Sequence, residues 1–223
     1  MTHRRYALYY TCPEGLLADM AAAWLGWDAA NREERPHPEL GLNAAEITER
    51  PRKYGFHATL KAPFRLAVGA SAASLSEALI AFAQTQEPVT LEGLRVATLG
   101  SFVALVPEMR SDALDDLAAS CVTQFDSFRA PLTADELERR KRTRLTASQE
   151  ALLGRWGYPY VLEEFRFHMT LTGPLPGPEP VAAILRAHFA AALPSPFVID
   201  AVSLCGERED GRFEVIERVP LKG

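Results

Sequence analysis

The hydrophobic positions of the chain predict one series of strands and helices that occurs twice in the same order. Each series begins with a strand in which apolar and polar side chains alternate, as expected for a sheet with one buried face. An alanine-rich segment with apolar residues at helical spacing follows, and then two further strands. The matched pairs are the first strands at 56–64 and 167–175, helices 74–86 and 181–193, strands 88–96 and 196–204, and strands 102–106 and 213–216. The sequence therefore predicts an internally duplicated protein.

Segments outside the two series predict additional elements. A strand at 6–10 and a helix at 14–27 precede the first series, and a helix at 111–128 precedes the second. Ser111 is a plausible N-cap of that last helix. A helical insertion, at about 129–157, separates the two halves.

Capping-box spacings predict two helices within that insertion. Thr133 is followed three residues later by Glu136, and Thr146 is followed by Gln149 at the same distance. With the repeated series, these elements indicate an α+β fold in which residues 1–223 form a single duplicated domain. We expect one lobe centred on 56–64, the other centred on 167–175, and two antiparallel-type sheets flanking a central cleft with helices outside.

The first strand of each series carries the pattern His-x-Thr. The segment FHATLKAPF returns, about half a chain length later, as FHMTLTGPL. Because alternate side chains of a strand point to the same side, the polar residues of each motif are expected on one face. The two predicted polar faces contain His57, Thr59 and Lys61 in the first motif, and Arg166, His168, Thr170 and Thr172 in the second. An approximate two-fold relation between the halves brings the two faces together across one cleft.

Two histidines in one cleft are suited to acid–base chemistry at phosphorus. Imidazole has an ordinary pKa of about 6.5, so it can take up or release a proton near neutral pH. One histidine would deprotonate the nucleophile while the other protonates the departing oxygen. We expect the threonine hydroxyls, Lys61 and Arg166 to hold the non-bridging phosphate oxygens, and Tyr158 to pack against the substrate.

Composition limits the possible partners. The formal net charge of −5 argues against binding of extended nucleic acid, which needs a basic face, but allows a small phosphorylated substrate. The basic run at 139–144 could bind a phosphate-rich partner or could be a solvated helix end. No apolar run approaches the length of a membrane span. We expect a cytoplasmic protein, a monomer or weak dimer, that binds no membrane.

Neither a metal nor a cofactor is expected. The three cysteines, Cys12, Cys121 and Cys205, are scattered and form no C-x-x-C pair. The histidine spacings supply no cluster of three or four ligands of the kind that zinc requires. The chain also contains neither a Walker phosphate-binding loop nor a G-x-G-x-x-G dinucleotide fingerprint.

The paired motifs resemble those of the 2H phosphoesterase superfamily, which includes cyclic nucleotide phosphodiesterases and 2′-5′ RNA ligase-like proteins. The longer strings RKYGFHATLKAPF and FRFHMTLTG are similar to a bacterial branch that is encoded with phosphonate-utilisation genes. The resemblance implies a 2H-like bilobal fold and a metal-independent phosphoesterase with His57 and His168 as catalytic residues. It also implies a small cyclic phosphodiester, such as a cyclic ribose or nucleotide phosphate, as substrate.

Two other functions remain open at the level of sequence. The first is an RNA end-processing or ligase-like enzyme that uses the same histidines, which a longer basic track beyond the cleft would favour. The second is a non-catalytic module that binds a phosphorylated metabolite. An intact pair of titrating imidazoles counts against the second, because binding alone needs cations more than proton exchange.

Overall fold

The computed structural model describes residues 3–141 and 144–223, which form the strands and helices given below. The strands are β1 (Tyr6–Tyr10), β2 (Trp27–Asp28), β3 (Glu33–Glu34), β4 (Ala58–Phe64), β5 (Val89–Leu91), β6 (Leu94–Leu99), β7 (Phe102–Pro107), β8 (Met169–Thr170), β9 (Phe197–Ile199), β10 (Ala201–Glu207) and β11 (Phe213–Pro220). The helices are α1 (Leu16–Leu25), α2 (Ala44–Ile47), α3 (Glu49–Arg52), α4 (Ala72–Ala83), α5 (Asp112–Gln124), α6 (Ala134–Lys141), α7 (Ala147–Trp156) and α8 (Glu179–Phe189). Arg142, Thr143 and therefore part of the basic run lie outside the described residues.

The main sheet is antiparallel and has seven strands in the order β11-β10-β1-β4-β8-β7-β6. The α+β class and the antiparallel pairing are thus confirmed. The strands that the sequence assigns to two sheets are continuous here, because β4 and β8 are joined through the pair Ala58 and Met169. Within the described residues, no helix combines the length and the apolar composition needed to cross a bilayer.

The two sequence halves exchange their hairpins. Strand β8 of the second half pairs with β7 of the first, whereas β10 of the second half pairs with β1, which in turn pairs with β4. The helices follow the same exchange, since α4 contacts β10 and β11, and α8 contacts β6. Each lobe therefore contains elements from both halves of the sequence.

An approximate two-fold axis passes between β4 and β8. Ala58 pairs with Met169, and the two residues occupy the same position in the two motifs. On the small β5–β9 sheet, Thr90 pairs with Val198, which are again equivalent in the repeat. An antiparallel pair of equivalent residues is what a two-fold axis through the pair produces, so the duplication in sequence is also a duplication in space.

Most predicted helix starts are capped as expected. The Ser111 hydroxyl accepts a hydrogen bond from the Leu114 amide at the start of α5. The capping box of Thr146 and Gln149 is formed at α7, which confirms that prediction. A buried indole then links the halves, because Trp24 Nε1 on α1 donates to the Leu171 carbonyl at 2.8 Å.

Candidate active site

The two His-x-Thr motifs meet at one open cavity of about 430 Å³, which is lined by His57, Thr59, His168 and Thr170. The pairing of Ala58 with Met169 explains this arrangement. In an antiparallel ladder, the positions next to this pair place His57 opposite Thr170 and Thr59 opposite His168. All four side chains lie on the same face of the sheet, because they flank the central pair on both strands. Each histidine therefore faces the threonine of the other motif.

The backbone orients both imidazoles in the same way. His57 Nδ1 lies 3.0 Å from the Gly55 carbonyl oxygen, and His168 Nδ1 lies 2.8 Å from the Arg166 carbonyl oxygen. A carbonyl can only accept, so each Nδ1 carries the hydrogen, and Nε2 of the neutral ring has a free electron pair. His57 Nε2 lies 3.2 Å from the Thr59 hydroxyl. The repeat thus reproduces the tautomer as well as the residue.

Aromatic packing makes the surroundings of the two histidines different. The ring of Tyr9 packs against His57 at a centroid distance of 3.9 Å, and Tyr54 lies 5.8 Å away on a second side. His168 has Phe102 at 5.7 Å. Burial lowers the pKa of His57 to about 4, the hydrogen bond to Gly55 opposes this change, and the charge of His168 adds to it. His57 is therefore neutral at neutral pH, as a general base must be.

The predicted orientation of Lys61 is wrong. The residue is buried, and its amine donates to the Val122 carbonyl at 2.8 Å and lies 3.6 Å from Asp126 Oδ1. The reason is a register shift in the pairing of β4 with β1. Tyr9 pairs with Thr59, but the neighbouring residue Leu8 pairs with Lys61, so β4 has one extra residue between these two pairs. Such a bulge breaks the alternation of side chains and turns Lys61 away from the cavity. Burial lowers the pKa of the amine to about 8, and Asp126 opposes that shift.

Arg166 and Thr172 also lie outside the cavity, contrary to prediction. The residues before β8 form no regular strand, so alternation does not fix the direction of Arg166, whose guanidinium donates to the Phe165 carbonyl at 2.7 Å. It lines a separate groove beside β6. Thr172 is buried; its hydroxyl accepts from the Val103 amide at 3.0 Å and donates to the Gly173 carbonyl at 2.8 Å. Thr172 therefore supports the end of β8 against β7.

Three arginines that were not predicted as site residues line the cavity, whereas Lys61 and Arg166 do not. They are Arg5, Arg139 and Arg140. Arg5 is held by two hydrogen bonds to Glu207, at 2.6 and 2.9 Å. The guanidinium of Arg140 lies 5.1 Å from the ring of Tyr158, which lines the same cavity.

Two of the arginines, Arg139 and Arg140, come from the basic run at 139–144, for which the sequence left open both a phosphate-rich partner and a solvated helix end. Arg139 and Arg140 lie in the last turn of α6, which the predicted capping box of Thr133 and Glu136 begins. Glu136 also lines the cavity, and Arg65 pairs with it at 3.0 Å. The position of a basic pair six to seven residues after a capping threonine gives no indication of what the helix faces, so only the fold reveals these contacts.

The described residues contain no cluster of side chains that could hold a metal ion. Among residues 3–141 and 144–223, no three His, Cys, Asp or Glu side chains lie close enough together to hold a metal ion. The cavity offers two imidazoles and one carboxylate, and Arg65 already neutralises that carboxylate. The hydrogen bonds from Arg65 hold the pKa of Glu136 at about 2.

Comparison with known proteins assigns the chain to a protein family. The family model described as "Protein of unknown function (DUF1045)" matches residues 59–214. A protein of Janthinobacterium sp. (strain Marseille) named ribose 1,5-bisphosphate phosphokinase PhnN is 41% identical over 235 residues, which cover 98% of this chain and 51% of that protein. A protein of Laribacter hongkongensis (strain HLHK9) with the same name is 36% identical over 211 residues, covering 93% and 49%. The chain spans about half the length of the curated relatives it matches.

Solved structures align with the chain at low identity. Escherichia coli LigT complexed with NADP+ aligns over 100% of both chains at 14% identity, with a TM-score of 0.46. A structure described as a phosphoesterase aligns over 99% of both chains at 15% identity, with a TM-score of 0.42. The chain is assigned to its family by the family model, which matches most of the sequence. The protein belongs to the DUF1045 family, and it carries on adjacent strands the paired His-x-Thr motifs by which it resembles the 2H phosphoesterases.

Proposed function

We propose that this protein is a metal-independent phosphoesterase that hydrolyses a small cyclic phosphodiester. The observation that carries the proposal is the placement of two equally oriented imidazoles and two hydroxyls around one cavity. In the proposed reaction, water attacks phosphorus, one P–O bond of the ring breaks, and the product is a phosphomonoester with a free hydroxyl. The water loses one proton to one histidine and the leaving oxygen gains one from the other, and proton exchange with solvent restores both histidines before the next turnover.

His57 is the proposed general base. Its Nδ1 hydrogen is held by Gly55, so Nε2 is the atom that accepts the proton from water. Burial keeps the imidazole neutral at physiological pH, and a neutral ring is needed for this step. His168 Nε2, on the facing strand, then protonates the leaving oxygen. Two groups on opposite sides of phosphorus suit an in-line displacement, in which the nucleophile enters and the leaving group departs along a common axis.

The threonines are the proposed ligands of the non-bridging oxygens. Thr59 and Thr170 lie next to Ala58 and Met169, the residue pair on the two-fold axis, and each faces the histidine of the other motif. Their hydroxyls can therefore donate to a phosphate held between the two imidazole rings. Negative charge on these oxygens changes during attack, and fixed donors in a partly dry site stabilise it without reorganisation. Tyr158 is the proposed packing surface for the rest of the substrate.

The names of the relatives suggest which cyclic ester to test first. Hydrolysis of the 1,2-cyclic phosphate of ribose 5-phosphate at its 2-oxygen gives ribose 1,5-bisphosphate, the compound in the name of the two relatives. A phosphokinase activity is not proposed for this chain, because its sequence has no Walker loop to hold a nucleotide triphosphate. The proposal also fits the resemblance to proteins encoded with phosphonate-utilisation genes.

The direct test is hydrolysis of a panel of cyclic phosphates by the purified protein. The panel contains 2′,3′-cyclic nucleotides and 1,2-cyclic ribose phosphates, each with EDTA present, and ³¹P NMR follows the conversion of ring diester to monoester. We expect turnover of at least one member in EDTA, and its loss in the His168→Ala protein. Activity that EDTA abolishes and a divalent cation restores would contradict the acid–base assignment.

The same panel separates the alternatives. Cleavage or joining of RNA ends without turnover of small cyclic esters indicates the RNA-processing function. Tight binding of the cyclic esters without turnover indicates the binding module. The acidic net charge of −5 disfavours the first, and the oriented imidazole pair disfavours the second.

A further inference from the structure

Arg5, Arg139 and Arg140 form a positive edge of the cavity that the proposed hydrolysis does not use; we call it the arginine rim. The three side chains line the same cavity as His57 and His168 but belong to other elements. Arg5 precedes β1, and the other two lie in the last turn of α6. The rim and the His-x-Thr face are thus two separate groups of donors around one space.

The charges of the rim exceed what a cyclic phosphodiester needs. Glu207 neutralises Arg5 through two hydrogen bonds, and Arg65 neutralises Glu136. The remaining lining charges, on Arg139 and Arg140, amount to two positive charges. A phosphodiester has one negative charge and already meets the threonine hydroxyls, whereas a phosphomonoester has a charge of about −1.5 to −2 at neutral pH.

Two guanidinium groups of the arginine rim are also held in fixed orientations, so their N–H groups donate in fixed directions. A guanidinium has five N–H groups, of which Glu207 takes two from Arg5, so the ion pair fixes the plane of the group while other hydrogens are left to donate. Arg140 is fixed differently, by packing over the ring of Tyr158 at 5.1 Å. Paired, planar donors of this kind are suited to a phosphate group.

Arg5 and Arg140 are close enough to affect each other. Burial is the main cause that lowers the pKa of Arg140, and the charge of Arg5 lowers it further, while Tyr158 opposes the shift. Two guanidinium groups that repel each other beside a cavity are stabilised by an anion between them.

We propose that the substrate is a cyclic phosphodiester that also carries a phosphomonoester, and that the arginine rim binds this second phosphate. The inference rests on the proposed function, since it divides one substrate between the rim and the histidines. It selects among cyclic esters: a phosphorylated sugar ring is preferred over a cyclic nucleotide that lacks a second phosphate.

A pair of matched substrates tests the inference. The compounds are ribose 1,2-cyclic phosphate with and without a 5-phosphate, and the measured quantity is the ratio of their kcat/KM values. We expect the wild-type ratio to favour the 5-phosphorylated compound by at least about tenfold, and Arg140→Ala to reduce this ratio by about tenfold or more, the effect of losing a hydrogen bond to a charged group. Arg140→Lys, which keeps the charge but not the planar donors, should give an intermediate ratio.

The control variant is Arg110→Ala. Arg110 is an exposed arginine that pairs with Asp115 at 2.9 Å and lines a different groove, so its loss should leave the ratio unchanged. Equal kcat/KM values for the two compounds in the wild type would overturn the inference while the proposed function stands. An unchanged ratio in Arg140→Ala would overturn it as well.

Calorimetry keeps the inference testable if neither cyclic compound is hydrolysed. Ribose 5-phosphate carries the phosphomonoester without the ring diester, so its affinity reports the rim independently of catalysis. Binding that weakens at least about fivefold in Arg140→Ala supports the rim even though the proposed hydrolysis has failed. Equal affinities in the wild type and in Arg140→Ala overturn it.

Discussion

The acid–base assignment predicts that His57 stays neutral far below the ordinary histidine pKa. Packing against Tyr9 and burial on the sheet lower the pKa of His57 from 6.5 to about 4. In the unfolded chain, the imidazole takes up a proton as the pH falls through about 6.5. Between about pH 6.5 and pH 4 the unfolded state therefore binds more protons than the folded state, and the free energy of unfolding falls as the pH falls.

The size of this effect follows from the two pKa values. One pKa unit corresponds to about 1.36 kcal/mol, so the coupling to His57 lowers the free energy of unfolding by about 2.5 kcal/mol between pH 7 and pH 4.5. His57→Gln removes the titrating group but keeps a polar side chain of similar length. The variant should therefore lose about 2.5 kcal/mol less stability than the wild type over the same range.

Urea denaturation at pH 7 and pH 4.5 measures this difference, and NMR of the histidine ring protons gives the pKa directly. The resonance of His57 is identified by its absence in His57→Gln. Glu136→Gln is the matched control: the pKa of Glu136 is about 2, so its contribution is lost mainly below pH 4.5, outside the window. A folded-state titration of His57 near pH 6.5, with parallel stability curves for wild type and His57→Gln, would refute the reasoning.

Three further predictions concern the cavity and the strand beneath it. His57→Ala and His168→Ala should each lower kcat by at least about two orders of magnitude, with an unchanged circular dichroism spectrum; a smaller loss in both would exclude proton transfer by this pair. Thr59→Ala and Thr170→Ala should lower kcat/KM by about 10–150-fold, as expected for one hydrogen bond to a charged group, and steady-state kinetics decides this. Lys61→Met should lower the free energy of unfolding in urea by about 1–3 kcal/mol, because a buried carbonyl loses its donor, while kcat remains close to wild type. A large loss of kcat with no loss of stability would contradict this prediction and indicate that Lys61 acts in the active site.

Periodicity and repetition were sufficient to predict the elements that carry the site. The first His-x-Thr strand, the helices after both motifs and the capping boxes at Thr133 and Thr146 are present, whereas the strand predicted at 167–175 is reduced to Met169–Thr170. These features are local, because a capping hydroxyl or an alternating strand leaves its pattern within a few residues. The repeat adds one long-range fact, which is that the motif strands are equivalent, and the pairing of Ala58 with Met169 agrees with it.

Alternation failed where the strands are irregular. Lys61 follows a bulge on β4, and Arg166 precedes the two paired residues of β8, so neither side chain has the direction that a regular strand gives. A bulge is a feature of the pairing between two strands, here β1 and β4, which the sequence of β4 alone does not show. Exchange of hairpins between the halves is equally invisible, because both pairings bury the same apolar residues.

Arg5 was missed, and the role of the basic run at 139–144 was left open, for the same reason. Arg5 enters the site only because β1 lies between β10 and β4, which places the start of the chain beside Glu207. Arg139 and Arg140 enter because the insertion folds over the cavity. Long-range placement of charged side chains depends on topology, which a single sequence does not give.

A two-fold site must become asymmetric to perform a directed proton transfer, and the aromatic residues supply that asymmetry. The two motifs provide the same imidazole, the same Nδ1 bond and the same hydroxyl on each side of the axis. A symmetric pair has no reason to use one ring as base and the other as acid. Tyr9 packs against His57 at 3.9 Å, and burial on that side lowers the pKa of His57. In the proposed reaction, the cost of charging one ring therefore sets the direction, with the attacking water on the side of His57 and the leaving oxygen on the side of His168.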